Sequence, residues 1–270
     1  MNAIPPRAPR DGRPSERRPW VVGVSGASGT PYAASVLRAL LRAGEAVDLV
    51  VSRAARLTLL DETGGPFRDA HWREDLRRWL ARGADGDPEA FAAELKAYED
   101  ADGSFGGGTG DGGSDGSGSF GEGVSESGGV GGGVRYWPAG DLAAGPSSGS
   151  YPAKGMLIVP ASTACVAGVA LGLSKDLLQR TASVTLKERR PLVVVVRETP
   201  LGGPVLRQLV ALDEAGAVVL PASPAFYSGA VTAQQLVDFV AGRALDAAGV
   251  PHELYRRWTG TLGGGTDVST

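Results

Sequence analysis

From Trp20 onward, short apolar runs alternate with longer segments of helical periodicity. Trp20 to Val24, Ala46 to Val51, Met156 to Val159, Leu192 to Val196 and Ala217 to Leu220 read as buried strands. Thr30 to Ala43 places Val36, Leu37, Leu40 and Leu41 on one helical face, and Ser52 reads as the N-cap of a helix running through Arg56 toward Leu60. Further helices are predicted over Leu173 to Arg190, Pro204 to Ala215 and Val231 to Ala248. Trp72, Leu76, Trp79 and Leu80 are spaced for another, and Phe91, Leu95 and Tyr98 for one more. Strict alternation of strand and helix predicts a three-layer α/β fold with a mostly parallel sheet. Ligands then lie beyond the carboxyl ends of the strands.

Composition changes this picture at one place. Of the 41 glycines in 270 residues, 16 lie between Gly103 and Gly133, a tract that also carries Asp111, Asp115, Glu122 and Glu126 and no base. Such a segment buries too little surface to offset its backbone entropy, and it is expected to be a flexible insertion at about 100–147, with order returning near Tyr151. Residues 1–19, rich in Arg and Pro, are expected to be a disordered leader, 20–260 a single domain, and 261–270 a disordered tail.

The net charge of −3 gives no nucleic-acid footprint, and the longest apolar runs are far shorter than a membrane span. Cys165 is the single cysteine, which excludes an internal disulfide and a clustered-cysteine metal site and fits a reducing compartment, the cytoplasm. His71 and His252 are the two histidines, so no metal site is expected.

Four loops carry candidate chemistry. Ser25-Gly26-Ala27-Ser28-Gly29-Thr30 follows the first strand, where Ser28 and the N–H groups of the next helix's first turn suit a phosphate. Neither a dinucleotide fingerprint nor a P-loop is present, and a purely structural turn is the equal alternative. Ala161-Ser162-Thr163-Ala164-Cys165 is a second small, hydroxyl-rich loop, in which Ser162 alone reads most simply as a helix N-cap and Cys165 as a buried small hydrophobe. Arg197 and Glu198 end a strand with an all-valine core, where a charged pair costs desolvation unless a ligand offsets it. Tyr227, after the last strand, either closes a pocket or packs on the surface.

Ser25-Gly-Ala-Ser-Gly29, Leu186-Lys-Glu-Arg-Arg-Pro-Leu192, Arg197-Glu-Thr-Pro200 and Pro224-Ala-Phe-Tyr227 together resemble the signature segments of the UbiX family of flavin prenyltransferases. The resemblance covers about Trp20 to Glu62 and Ser148 to Trp258. It implies a Rossmann-like or flavodoxin-like flavoprotein fold that binds FMN. The implied reaction joins the dimethylallyl group of dimethylallyl monophosphate to N5 and C6 of the reduced flavin, without a metal, making prenylated FMN for UbiD-type decarboxylases. By motif, Gly26, Ala27, Ser28, Ser52, Ser162, Thr163, Ala164, Cys165 and Arg197 would hold FMN. Lys187, Tyr227 and Arg243 would hold the dimethylallyl phosphate, and Glu62, Glu198, Lys187 and Ser28 form the catalytic set, the two carboxylates as acid/base candidates.

Cations around a leaving phosphate match what ionising an allyl phosphate demands. The family departs from this chain in having Cys before Ser162 and Thr at Cys165, and a His and Pro-containing segment after Tyr227. It also implies a homo-oligomer, commonly of twelve subunits, with the active site at a subunit junction. Two other readings are an FMN-dependent decarboxylase of the related cysteine decarboxylase group, which uses an early histidine, and a non-catalytic carrier of prenylated FMN. No histidine precedes His71 here.

Overall fold

The structure is a computed structural model that describes residues 18–82 and 133–258. Six strands form one sheet in the order β3-β2-β1-β4-β5-β6, with every neighbouring pair parallel. They are β1 (Trp20–Val24), β2 (Val47–Val51), β3 (Val134–Pro138), β4 (Gly155–Ala161), β5 (Leu192–Val196) and β6 (Val218–Pro221). The described α-helices are α1 (Thr30–Arg42), α2 (Arg53–Thr63), α3 (Trp72–Ala81), α4 (Thr163–Ala170), α5 (Leu177–Lys187), α6 (Gly203–Glu214) and α7 (Ala233–Ala248).

Alternation along each strand divides the core in two. Val22, Val24, Leu49, Val51, Leu157, Val159, Val193 and Val195 pack against α1, α3 and α7. Val50, Met156, Ile158, Leu192, Val194 and Val196 face α4, α5 and α6 instead. The sheet is thus covered on both faces, as all-parallel sheets are. Trp20 pairs with Val47 on one side and Gly155 on the other, so the amino ends of the central strands lie level.

Two elements differ from the sequence expectation. β3 occupies residues assigned to the flexible insertion, and Gly145–Ser147 forms a 3₁₀ turn, so order resumes before Tyr151. Side chains explain the strand. Tyr136 packs on Phe67 and Trp72 on one face, its hydroxyl bonded to Asp69 and Arg56. On the other face, Trp137 donates its indole N–H to Asp48 at 2.9 Å. The second difference is α4, which the expected long helix omitted. Gly172 and Ser174 adopt positive φ, and Asp176 accepts from the Gln179 N–H at 2.9 Å, so α5 starts only at Leu177. The expected helix around Phe91 to Tyr98, the Gly-rich tract up to Gly132, the leader through Arg17 and the tail all lie outside the described residues.

Asp48 is buried in β2 and also accepts from the Tyr151 hydroxyl at 2.6 Å, tying the loop before β4 to the sheet. Burial raises its carboxyl above the usual range, and the opposing effects of Tyr151, Trp137 and Arg135 do not cancel it. A carboxyl raised on folding stabilises fully below its unfolded value and loses that contribution as pH climbs through the folded one. Asp48→Asn is therefore expected to gain melting temperature on wild type between pH 4 and pH 7, a trend that paired thermal melts would read.

Among the described residues one flank of the sheet stays bare. Along α6 only Leu212 is buried, while Leu206 and the 56% exposed Val210 face outward. At the adjacent edge, Val218 of β6 is 43% exposed, and Phe226 and Val231 beyond it are exposed as well.

Candidate active site

The carboxyl edge of the sheet is stitched into one surface. The Ser25 hydroxyl donates to the Pro160 carbonyl at 2.9 Å and accepts from the Ser162 N–H at 2.7 Å, locking the loop after β1 to the loop after β4. Ser52 N–H donates to Val24 O at 2.9 Å, and Arg197 Nε donates to Ser28 O at 3.0 Å. Gly26 lies so close to α2 that a Cβ there would stand 2.4 Å from the Ala54 Cβ. A register irregularity between Ile158 and Ala161 bends the end of β4 at this same edge.

Two helices begin here under serine caps. Ser52 Oγ accepts from Ala55 N–H at 3.1 Å, and Ser162 Oγ accepts from Cys165 N–H at 3.3 Å. Ser162 thus fills the simpler role its sequence allowed, and it does so where an anion would meet the positive end of α4. Cys165 is buried, and desolvation pushes its thiol up to about 12, which suits a packing residue and not a nucleophile.

The first turn of α1 is different. Glu62, at the end of α2, accepts from Gly29 N–H at 2.7 Å, Thr30 N–H at 2.8 Å and the Thr30 hydroxyl at 2.6 Å. These N–H groups were expected to be open to a phosphate; a carboxylate of the chain itself holds them. Gly29 accommodates the turn at φ 113°, with Tyr32 packed beneath it. Burial pushes the Glu62 carboxyl up, but the bonds from Thr30, Ser28 and Gly29 outweigh it and hold the group below the usual carboxylate range. As an acid/base candidate, Glu62 therefore stands as an ionised helix cap.

The desolvation argument for Arg197 and Glu198 is corrected in the same way. Arg197 is half-buried and Glu198 exposed, its Oε1 accepting from Thr199 N–H at 2.9 Å. Sequence reasoning missed Tyr32, whose phenol burial raises while Arg197 lowers it and Glu62 raises it further. Its signal was its position three residues after Gly29, in the first turn of α1.

The remaining predicted residues lie elsewhere. Lys187 ends α5 and is paired with Glu188. It rests on Gly149, where a Cβ would stand 2.6 Å from its Nζ. Both belong to the amino edge, because β5 starts at Leu192 and runs away from it. A five-residue strand spans on the order of 15 Å, which separates Lys187 from Arg197 in one chain. Arg180, one face of α5 earlier, donates to Ser147 O at 3.1 Å and Arg190 to Gly149 O at 2.8 Å, so three cations flank this loop. The heptad spacing of Arg180 and Lys187 was the overlooked signal.

Tyr227 and Arg243 form a third neighbourhood, linked through rings. Tyr227 stacks edge-on against Phe239 at 5.9 Å, Phe239 meets Tyr255 at 4.8 Å, and Arg243 reaches the Tyr255 hydroxyl at 3.4 Å. Arg243 lines a groove of about 430 Å³ between β6 and α7, walled by Val218, Leu220, Phe239 and Val240. Within one chain Lys187 therefore stands across the sheet from the carboxyl-edge loops, while the Tyr227 and Arg243 group lies beside β6, whose end is tied to β5 by the Ala222 N–H to Val196 O bond at 2.8 Å. Among the described residues no group of His, Cys, Asp and Glu is placed to hold a metal, and no helix is long and apolar enough to cross a membrane.

A parallel sheet with capped helix N-termini gathered at its carboxyl edge defines a nucleotide-type α/β binding protein, and a sequence-family model described as Flavoprotein matches residues 141–245. The chain is 70% identical over 246 residues to a flavin prenyltransferase UbiX of Streptomyces coelicolor, covering 91% of this chain and 97% of that one. It is 35% identical to the flavin prenyltransferase UbiX of Synechocystis, covering 92% of this chain and 98% of that one. The crystal structure of AnUbiX in complex with FMN and dimethylallyl pyrophosphate superposes with a TM-score of 0.64 at 32% identity, covering 92% of this chain and all of that one. A dodecameric FMN-dependent UbiX-like decarboxylase from Escherichia coli O157:H7 gives 0.63 at 29%, covering 89% and 99%. This chain belongs to the UbiX family of flavin prenyltransferases.

Proposed function

We propose that the chain joins the dimethylallyl group of dimethylallyl monophosphate to N5 and C6 of reduced FMN, releasing prenylated FMN to a UbiD-type decarboxylase in the cytoplasm. The observation that carries this reading is the carboxyl edge itself. Two serine-capped helix N-termini, the Gly26 to Ser28 loop and Arg197 converge there, a donor set that suits a flavin phosphate beside small, closely approached backbone. Gly26, Ala27, Ser28, Ser52, Ser162 to Cys165 and Arg197 are the residues that would hold FMN. When bound, reduced FMN supplies the nucleophilic N5 and C6.

The chain's own groups do the rest. Lys187, Tyr227 and Arg243 hold the phosphate and stabilise the charge it gains on leaving. Glu198, exposed beside Arg197 at the end of β5, is the carboxylate that would accept the proton released on ring closure. Glu62, fixed and ionised, keeps the Gly29 turn in shape. Since Lys187 and Arg197 lie at opposite ends of β5 in one chain, the complete site is built from more than one copy in a homo-oligomer, and a twelve-subunit assembly like that of the Escherichia coli relative supplies such junctions. The bare flank of α6 and β6 offers the apolar surface for it.

A decarboxylase relying on an early histidine finds no support, since His71 sits in a 3₁₀ turn before α3 and His252 is bonded to Asp246. The test is anaerobic incubation of the purified protein with reduced FMN and dimethylallyl monophosphate, with the diphosphate in parallel. Mass spectrometry is expected to find a flavin heavier by one five-carbon prenyl unit. Absence of that product with both phosphates would falsify the reading.

A further inference from the structure

We propose that Asp246 is the positioning residue of the phosphate site, holding the Arg243 guanidinium in the groove between β6 and α7 by a clamp closed by the C-terminal segment. This rests on the reading that Arg243 holds the dimethylallyl phosphate.

The clamp follows from how α7 ends. Gly249 takes φ 73° as the C-cap, Val250 returns to the core, and the chain doubles back along the helix. Gly242 makes the close approach possible, because a Cβ there would lie 2.6 Å from both His252 Cε1 and Tyr255 Cδ1. The returning segment surrounds Asp246, one turn beyond Arg243 on the same helix. His252 Nε2 and Arg257 Nη2 reach Oδ1 at 3.0 and 2.8 Å, while Arg243 Nη1 reaches Oδ2 at 3.0 Å beside the Tyr255 hydroxyl.

Each member is committed to one geometry. The His252 side chain is 2% exposed, and its Nδ1 faces the Leu254 N–H at 3.1 Å. A backbone N–H can only donate, so Nδ1 is bare and the hydrogen sits on Nε2, aimed at Asp246. Burial would raise the Asp246 carboxyl, but the bonds from Arg257, Tyr255 and His252 outweigh it and hold the group at about 2. Asp246 is thus held as the anion at neutral pH.

Arg243 spends one nitrogen on this anchor. Nη1 carries the bonds to Asp246 and Tyr255, and among the described residues Nε and Nη2 meet no acceptor, which leaves their donors for an incoming anion. The side chain is 52% exposed, and left untied it would lose rotamer freedom on gripping a phosphate. Tied at one end, it is already ordered. Two arginines share one carboxylate, so the clamp keeps a net positive charge toward the groove.

The test is calorimetric titration of the FMN-loaded oligomer with dimethylallyl monophosphate, with flavin affinity and initial rates measured alongside. Asp246→Asn is expected to raise Kd and KM for the monophosphate about tenfold and, because Arg243 also meets the leaving charge, to lower kcat by a smaller factor, while FMN affinity stays within about twofold of wild type. Tyr255→Phe keeps the ring contacts and removes one hydroxyl, so it is expected to shift both constants about threefold in the same direction. Unchanged Kd and KM in the two variants would overturn the proposal. So would loss of FMN in step with the monophosphate, which marks damage to the fold, or a wild type with no affinity for the monophosphate. A wild type that binds the monophosphate and prenylates nothing counts against the prenyltransfer reading alone, because the Kd ratio still decides the role of Asp246.

Discussion

Lys187→Ala is expected to lower kcat/KM for prenyl transfer by about 10²–10³-fold, the usual cost of removing one donor aimed at developing negative charge. FMN should remain bound, since Lys187 lies at the amino edge, far from the Ser25 to Thr30 loop. Glu198→Gln should be as inactive, for a different reason: it abolishes the proton acceptor. The two defects then make a sharper experiment. If Lys187 and Glu198 of one site come from different copies, oligomers reassembled from an equal mixture of the two dead variants regain about one quarter of wild-type activity, because a quarter of the sites draw both intact residues. A site built within one chain would regain none. Denaturing and refolding the mixture, then measuring initial rate per flavin, separates the two.

Glu62→Ala is expected to cost about 2 kcal/mol of stability, since it removes a charged cap from α1 and leaves the Gly29 and Thr30 N–H groups without their acceptor. The Gly29 turn should loosen with it, and FMN affinity should fall together with melting temperature. The pH behaviour carries its own signature. A carboxyl lowered on folding contributes fully above its unfolded value, near 4.3, and that contribution fades as pH falls through the folded one. The gap between wild type and Glu62→Ala should accordingly be constant above about pH 5 and narrow in more acid buffer. A variant with normal stability and FMN affinity but no turnover would restore Glu62 to a proton-transfer role.

The lattice of the fold was legible because burial on both faces leaves an unmistakable trace. β1 and β5 were read to the residue, as Trp20-Val-Val-Gly-Val24 and Leu192-Val-Val-Val-Val196 carry no polar interruption. β3 was lost because an edge strand has a half-exposed pattern, and Tyr136 and Trp137 owe their burial to Phe67, Trp72 and Asp48, distant in sequence. α4 was lost because Thr-Ala-Cys-Val-Ala-Gly-Val-Ala shows no helical stripe: it is short and packed among neighbours. At the site, Ser52 and Ser162 were legible as caps because capping is local. Glu62 was not, since a carboxylate capping another helix depends on where α2 ends. The placing of Lys187 away from Arg197 is likewise a matter of strand direction, which motifs read side by side along the chain conceal.

The order of the strands gives the sheet a busy margin and a permissive one. β6, with α7 and the Arg243 groove, borders one side; β3 borders the other, at the far end of the six strands. Residues 83–132 leave from the end of α3 and rejoin at β3, so both of their anchors belong to the permissive margin. Lengthening or trimming the chain there is expected to leave the spacing of Ser25, Arg197 and Arg243 as it is, since those residues stand on the central strands and at the opposite edge.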